Sequence, residues 1–426
     1  WKTVTPAGSY SFDVTTTEDW EFYLMADADF IGTVDNVSVR RVDIPTTTIT
    51  DNTASWDITP TNYYTYRGPL IEEARTNLIP YSNDFTNAYW AKNNITATAA
   101  QATGADGLSS MSSFIEASDT NQWHYMQGQS LGVSVSPTLS VIVSNRSGSR
   151  YFVLQCHVTS SVYGNAVFDL TTGSVTQTNV STFTSVTAGS VDLGGGLYRL
   201  WLTVPEAVPT TSRFMLWLSD TPTPSSYYKL YNGDGMSGVN IYGAQLEAGS
   251  AASSYIPTTT SAVTRNADVL SYDTANWFAD GKAGTLQLDA DLVYDDTSRK
   301  LIEISDGASW RCSIGAGVNA GNLSVSGYAP NNTLFVRSLG VAEATERVAF
   351  SYDTDGVYSS ENGSSALMSP WGGFWENQLT QLNIGSATFN TSTSLLNGCV
   401  LNVIYYQKRL ANSVIEANSA REYSND

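Results

Sequence analysis

The stretch Tyr151-Phe152-Val153-Leu154-Gln155-Cys156-His157-Val158 reads with period two, Phe152, Leu154, Cys156 and Val158 alternating with a more mixed set. Successive side chains of a strand point to opposite faces, so this is a strand with one buried face. The same pattern recurs in 139–144, 198–204 and 213–218, and toward the C-terminus in 285–293, 348–352 and 399–407. Gly, Pro, Asn, Asp or Ser bounds nearly every segment, as turns require. A single short helix is expected over 412–418, with Asn412 as its N-cap. Many short strands with frequent turns predict an all-β chain of tandem antiparallel jelly-roll or β-sandwich modules.

An internal repeat sets the module boundaries. Ile44-Pro45-Thr46-Thr47-Thr48 returns as Ile256-Pro257-Thr258-Thr259-Thr260, and an alternating strand opened by glycine (Gly32, Gly238) precedes each copy. Both copies read as the closing strand of one module type followed by an extended exit. Residues 1–44 are then the C-terminal part of an upstream jelly-roll module, and 45–76 a linker. Residues 77–256 form a complete jelly roll, 257–267 a second linker, and 268–426 a final sandwich of different design.

Composition narrows the function classes. Of 426 residues, 42% are hydrophobic, enough for real cores, and only 14% are charged, against roughly 25% in ordinary soluble domains. Ser, Thr, Asn and Gly replace the charge, with 24 Tyr and 11 Trp. Hydroxyls, amides and aromatic faces are the groups that read sugars, and also what any extracellular β-sandwich displays. The net charge of −19 excludes phosphate-backbone recognition, so no nucleic acid is expected, and it disfavours anionic membrane surfaces. No apolar run approaches the ~18 residues of a membrane span, so no insertion is expected. Cys156, Cys312 and Cys399 show no Cys-x-x-Cys spacing and leave one thiol unpaired in any scheme. Free thiols fit assembly in a reducing cytosol. The chain begins at Trp1 rather than Met, which leads us to expect a longer polypeptide.

The segment Gly68-Pro69-Leu70-Ile71-Glu72-Glu73-Ala74-Arg75-Thr76-Asn77-Leu78 resembles one found in bacteriophage and prophage virion proteins, where it leads into a carbohydrate-binding-module-like jelly roll. Residues 81–90 are similar to the opening of that module, and 242–249 with 254–258 to its close. The stretch 262–268, Ala-Val-Thr-Arg-Asn-Ala-Asp, also matches. The last region resembles a concanavalin A-like, laminin-G-like sandwich at Leu382-Asn383-Ile384-Gly385, Leu396-Asn397-Gly398 and 405–410. The resemblance implies a tail-fibre, spike or head-fibre component assembled in the host cytoplasm and displayed on the virion. Its implied partners are host cell-surface glycan and other virion proteins, in a homo-oligomer with a trimer favoured.

The chain has two histidines, and no Gly-x-Ser-x-Gly elbow. His157 reads as a structural side chain on its strand; His124, between Trp123 and Tyr125, reads as stacked or packed. Glu303 and Asp306 lack the alternation that would set two carboxylates on one strand face, so no catalytic residue is assigned. Carbohydrate-binding jelly rolls hold a structural Ca²⁺ through a closing-strand carboxylate. Asp35 matches that position in the first module, while the second offers only Asn240 or Glu247. Solvated loop carboxylates are the competing reading. Transition-metal clusters are not expected. Aromatic platforms carry the most promise, because sugar C–H faces stack on Trp and Tyr. One candidate cluster is Trp123, Tyr125, Tyr227, Tyr228 and Tyr231; the other is Trp371, Phe374 and Trp375 in a Gly-broken loop. Three functions follow: a non-enzymatic glycan-binding virion protein, a structural adaptor between virion subunits, or a glycan depolymerase. The first is the expectation.

Overall fold

The structure is a computed structural model. It describes residues 70–420 apart from 130, 149, 269, 275–282, 293–298, 307–312, 320–321, 329–333, 342–344, 371–378, 387–395 and 397. All of the described residues belong to one structural unit, Thr53–Asp426. They form two antiparallel β-sandwiches in tandem and a single helix, the all-β architecture that the alternating segments predict.

The first sandwich has two six-stranded sheets. One contains β3 (Ala91–Asn93), β6 (Tyr125–Gln127), β8 (Tyr151–Thr159), β9 (Val162–Phe168), β10 (Val175–Ser181) and β13 (Arg213–Ser219). The other contains β4 (Ile95–Ala102), β5 (Met111–Glu116), β7 (Pro137–Ser147), β11 (Thr187–Gly194), β12 (Leu197–Thr203) and β14 (Gly238–Ala248). Their orders, β10-β9-β8-β13-β6-β3 and β11-β12-β7-β14-β5-β4, are non-sequential, as jelly-roll crossovers demand. Between the sheets lie Phe114, Val141, Phe152, Leu154, Phe168, Leu216 and Leu246, all essentially inaccessible to solvent. Full burial of such a side chain contributes about 1.5–3 kcal/mol. Cys156 sits in the same core as a free thiol.

The second sandwich pairs β16 (Leu270–Asp273), β18 (Arg299–Ser305), β19 (Ser313–Asn319), β20 (Asn322–Tyr328), β21 (Leu334–Val341) and β25 (Gln381–Ile384) in one sheet. The facing sheet holds β17 (Gly284–Leu292), β22 (Thr345–Tyr352), β23 (Gly356–Glu361), β24 (Leu367–Pro370) and β26 (Gly398–Tyr406). Its sixth strand is β1 (Leu70–Ile71), which precedes the whole first sandwich in the chain. Leu70 pairs with Cys399 and Ile71 with Gly398, and Ile71 is buried in the second core. Gly385 takes φ +70° there, and a Cβ on it would lie 2.8 Å from Ile71, so the close approach needs glycine.

Residues 70–77 are therefore the tie between the sandwiches. Past β1, Glu72 and Asp268 exchange hydrogen bonds: Glu72 N–H donates to Asp268 Oδ2, and Asp268 N–H to the Glu72 carbonyl. Glu72 also accepts from Ser254 N–H at 2.7 Å and from Arg265. β2 (Arg75–Asn77) then pairs with β15 (Val263–Arg265) as a two-stranded ribbon, so each segment assigned as linker contains strand. Asn77, fully buried, donates to the carbonyls of Ala244 and Ile256 and accepts from the N–H groups of Ile79 and Leu246. The Ile256-Pro257-Thr258 exit packs back on the module, with Thr258 Oγ1 donating to the Ile79 carbonyl.

The helix α1 spans Asn412–Ala420. Val414 and Ile415 N–H groups both bond the Ala411 carbonyl, so Ala411 and not Asn412 occupies the N-cap. The Asn412 side chain is already engaged, accepting from Arg409 at 2.7 Å.

Candidate functional site

The alternation that buries Phe152, Leu154 and Cys156 turns Val153, Gln155 and His157 to the outer face of the same sheet. On β13 the inward set is Phe214, Leu216 and Leu218, leaving Arg213, Met215 and Trp217 outward. Register then assembles rows across that outer face. Tyr125, Trp217, Val153 and Val167 share one row; Gln127, Met215, Gln155 and Asn165 share the next; Arg213, His157 and Tyr163 share a third. Val153, Val167, Met215 and Trp217 are almost wholly buried and form a second small core on this face, with Trp123, Tyr125 and Tyr151 packed over it.

Six half-buried rings lie above that floor: Trp123, Tyr125, His157, Tyr163, Tyr227 and Tyr228. Trp123 is 4.3 Å from Tyr125, 5.8 Å from Tyr228, 6.1 Å from Tyr227 and 6.0 Å from Trp217, centroid to centroid. Tyr227 is 4.7 Å from Tyr228 and 5.5 Å from both His157 and Tyr163. These tilted and edge-on contacts suit aromatic quadrupoles and fix the rings against one another. Burial, with Arg213 alongside, holds the His157 imidazole below its ordinary value, so it is neutral at pH 7.

A ladder of amides positions the loop that carries Tyr227 and Tyr228. Gln155 Oε1 accepts from the Trp217 indole N–H at 3.0 Å and from Asn165 Nδ2 at 3.3 Å. Asn165 Oδ1 accepts from Asn179 Nδ2 at 2.9 Å. Three hydroxyl or amide donors of this ladder then reach loop carbonyls: Thr176 to Pro222, Asn179 to Pro224 and Asn165 to Ser226. On the other flank, Asn93 and Asn94 both donate to the Trp123 carbonyl. Buried amides are costly unless satisfied, so a network like this one specifies a single loop position.

Tyr231 stands apart from the other rings. It is 5% exposed, and its hydroxyl donates to Glu116 Oε2 at 2.7 Å. Glu116, buried, also accepts both arms of the Arg150 fork and the Asp234 N–H. Arg150 lies over the Tyr231 ring, and His124, fully buried, makes a tilted contact with it at 4.4 Å while bonding Asp119. Tyr231 thus anchors a loop to β5 and offers no ring face. Burial first, then the Glu116 carboxylate, pushes its phenol far above the ordinary value.

The structure brings together Trp123, Tyr125, Tyr227 and Tyr228 and separates Tyr231 from them. Trp371, Phe374 and Trp375 lie outside the described residues, as does Asp35. Glu247 is buried with both oxygens bonded by Ser253, and Asn240 is buried and bonds Ser144. Among the described residues no three His, Cys, Asp or Glu side chains group as a metal site. Glu303 is buried beside Lys300 at 3.4 Å, and Asp306 lies past the end of β18. Sequence reasoning missed His157 and Tyr163 as members of the aromatic face. The signal was present in the outward parity of 151–157, 163–167 and 213–217, but only register puts those positions in one patch.

No family model matches the chain, and no curated protein matches its sequence. Solved structures do. The Ruminococcus gnavus IT-sialidase CBM40 bound to alpha2,3 sialyllactose is 13% identical, with a TM-score of 0.30, over 35% of this chain and 91% of that one. The NanB sialidase from Streptococcus pneumoniae is also 13% identical at 0.30, and the match spans only 26% of its length. Domains LG4-5 of the mouse laminin alpha1 chain are 11% identical, with a TM-score of 0.25, over 69% of this chain and 88% of that one.

Proposed function

We propose that the sandwich of residues 77–256 is a carbohydrate-binding module that reads glycan through the outer face of the β10-β9-β8-β13-β6-β3 sheet. The observation that carries this reading is the group of half-buried rings around Trp123 and Tyr227, fixed by amides rather than sealed within a core. A pyranose ring presents an apolar C–H face to such aromatics while its hydroxyls meet the neighbouring amides. The module acts without catalysis, as part of a phage fibre or spike that adsorbs to host-surface glycans. The resemblance of the 68–78 segment supports the virion setting, and the aromatic face supports the binding role.

The test is a glycan array probed with the full chain and with a Trp123→Ala/Tyr227→Ala variant. Retention of specific glycans by the parent and its loss in the variant, with both sandwiches still folded by circular dichroism, is the expected result. Undiminished retention by the variant would place the binding elsewhere.

A further inference from the structure

Beside the aromatic face opens a cleft of about 490 Å³, lined by Tyr89, Ala91, Gln127, Gly128, Gln129 and Arg213 among others. Gln127 and Arg213 belong to the same outer face as the rings: Gln127 is two residues along β6 from Tyr125, and Arg213 sits opposite His157. One wall of the cleft is packed into the core. Tyr89 is 8% exposed and packs edge-on to Trp90 at 5.3 Å, and a Cβ on Gly128 would lie 2.9 Å from its hydroxyl. Four side chains in the lining present polar donors, Tyr89, Gln127, Gln129 and Arg213, and no carboxylate is among them.

The chain has 40 acidic and 21 basic residues, so carboxylates outnumber the cations they can pair with. Arg150, Arg265 and Arg409 each pair with a carboxylate at 2.5–3.0 Å. The Arg213 side chain is exposed and makes no hydrogen bond or ion pair among the described residues. Its neighbour His157 is neutral, so the cleft carries a single positive charge that the protein leaves uncompensated. A guanidinium presents its donors as a planar fork that matches a carboxylate.

We infer that this cleft takes the carboxylate of an acidic sugar whose ring, or whose neighbour in the chain, lies on the Trp123–Tyr227 face. The inference rests on the glycan-binding reading above and names its ligand class. Gln127 and Gln129 bond the hydroxyls flanking the acid, and Arg213 sets the preference for acid over its neutral counterpart.

The experiment measures the full chain and its Arg213→Gln and Arg213→Lys variants against matched glycan pairs. The pairs are uronic-acid oligosaccharide and neutral oligosaccharide of equal length, 3′-sialyllactose and lactose, and sulfated and unsulfated lactose. The parent is expected to favour at least one carboxylated member over its neutral partner by about 10- to 100-fold, the worth of a charge-assisted pair. In Arg213→Gln that ratio falls to about one, and Arg213→Lys recovers only part of it. Melting temperatures of the variants stay with the parent, since Arg213 holds no partner in the fold. Equal binding of acidic and neutral members, or a preference that survives Arg213→Gln, overturns this inference and leaves the glycan-binding reading standing. A preference for the sulfated member over every carboxylated one overturns the carboxylate assignment. Retention of no glycan by the parent overturns both.

Discussion

Replacing Asn165 by Ala tests the idea that the amide ladder, not the rings themselves, holds the aromatic face in shape. Asn165 is fully buried and lies between Gln155 and Asn179. The substitution deletes its donation to Gln155 Oε1 at 3.3 Å and to the Ser226 carbonyl at 3.5 Å, and removes the acceptor that Asn179 uses at 2.9 Å. Each bond is worth about 1 kcal/mol net, and the longest counts for little, so the loss is about 2–3 kcal/mol. In a domain of this size that lowers the melting temperature by roughly 5–10 °C. Trp217 keeps its bond to Gln155, so the floor survives while the loop bearing Tyr227 and Tyr228 loses its Asn165 tether and the Asn179 tether loses its support. Calorimetry together with tyrosine accessibility, for instance by nitration, reads both consequences. A variant that melts with the parent and leaves Tyr227 and Tyr228 equally protected would refute the role given to the ladder.

Four further outcomes are expected. Tyr231→Phe removes a bond to buried Glu116 and should cost about 1–3 kcal/mol in denaturant titrations while leaving glycan retention intact; lost retention at full stability would return Tyr231 to the site. Burial pushes Cys156 from 9.0 up to about 12, and Tyr89 and Tyr255 from 10.0 up to about 12. Above pH 9 the unfolded chain releases these protons first, so stability is full below pH 9 and falls as pH rises toward 12; a denaturant midpoint that holds from pH 8 to 11 would contradict this. Asn77→Ala leaves buried N–H and carbonyl groups of both ends of the first module unpaired and should cost about 2–4 kcal/mol by thermal melting, whereas a neutral change would refute its clamp role. Incubation with a panel of polysaccharides should release no new reducing ends, and turnover abolished by Glu303→Gln would establish the depolymerase instead.

Much of the fold is legible in alternation alone, because period two both identifies a strand and says which side chains share a face. Phe152, Leu154 and Cys156 are inward for that reason, and the helix near 412 stands out as the break in the pattern. What alternation cannot supply is pairing over long separations. Leu70 and Ile71 read as linker because two residues make no pattern, yet they complete a sheet with Cys399 and Gly398. Tyr231 resembles Tyr227 and Tyr228 in sequence, and only the arrival of Glu116 from β5 and of Arg150 from between β7 and β8 turns it into an anchor. His157 reads as a packed strand residue until register sets it beside Arg213 and under Tyr227. The core was thus readable from single segments, and the site only from their juxtaposition.

The central claim is that glycan binds on the outer face around Trp123, and tryptophan indole signals address it directly. Trp90 is buried elsewhere in the first core, Trp201 lies on the opposite sheet, and Trp217 forms the floor under Trp123. In an ¹⁵N-labelled sample titrated with a retained glycan, the Trp123 indole resonance should move most. Trp217 should move less, and Trp90 and Trp201 should stay in place. Movement confined to Trp201, or to tryptophans outside residues 77–256, with Trp123 unmoved at saturation, would contradict the account.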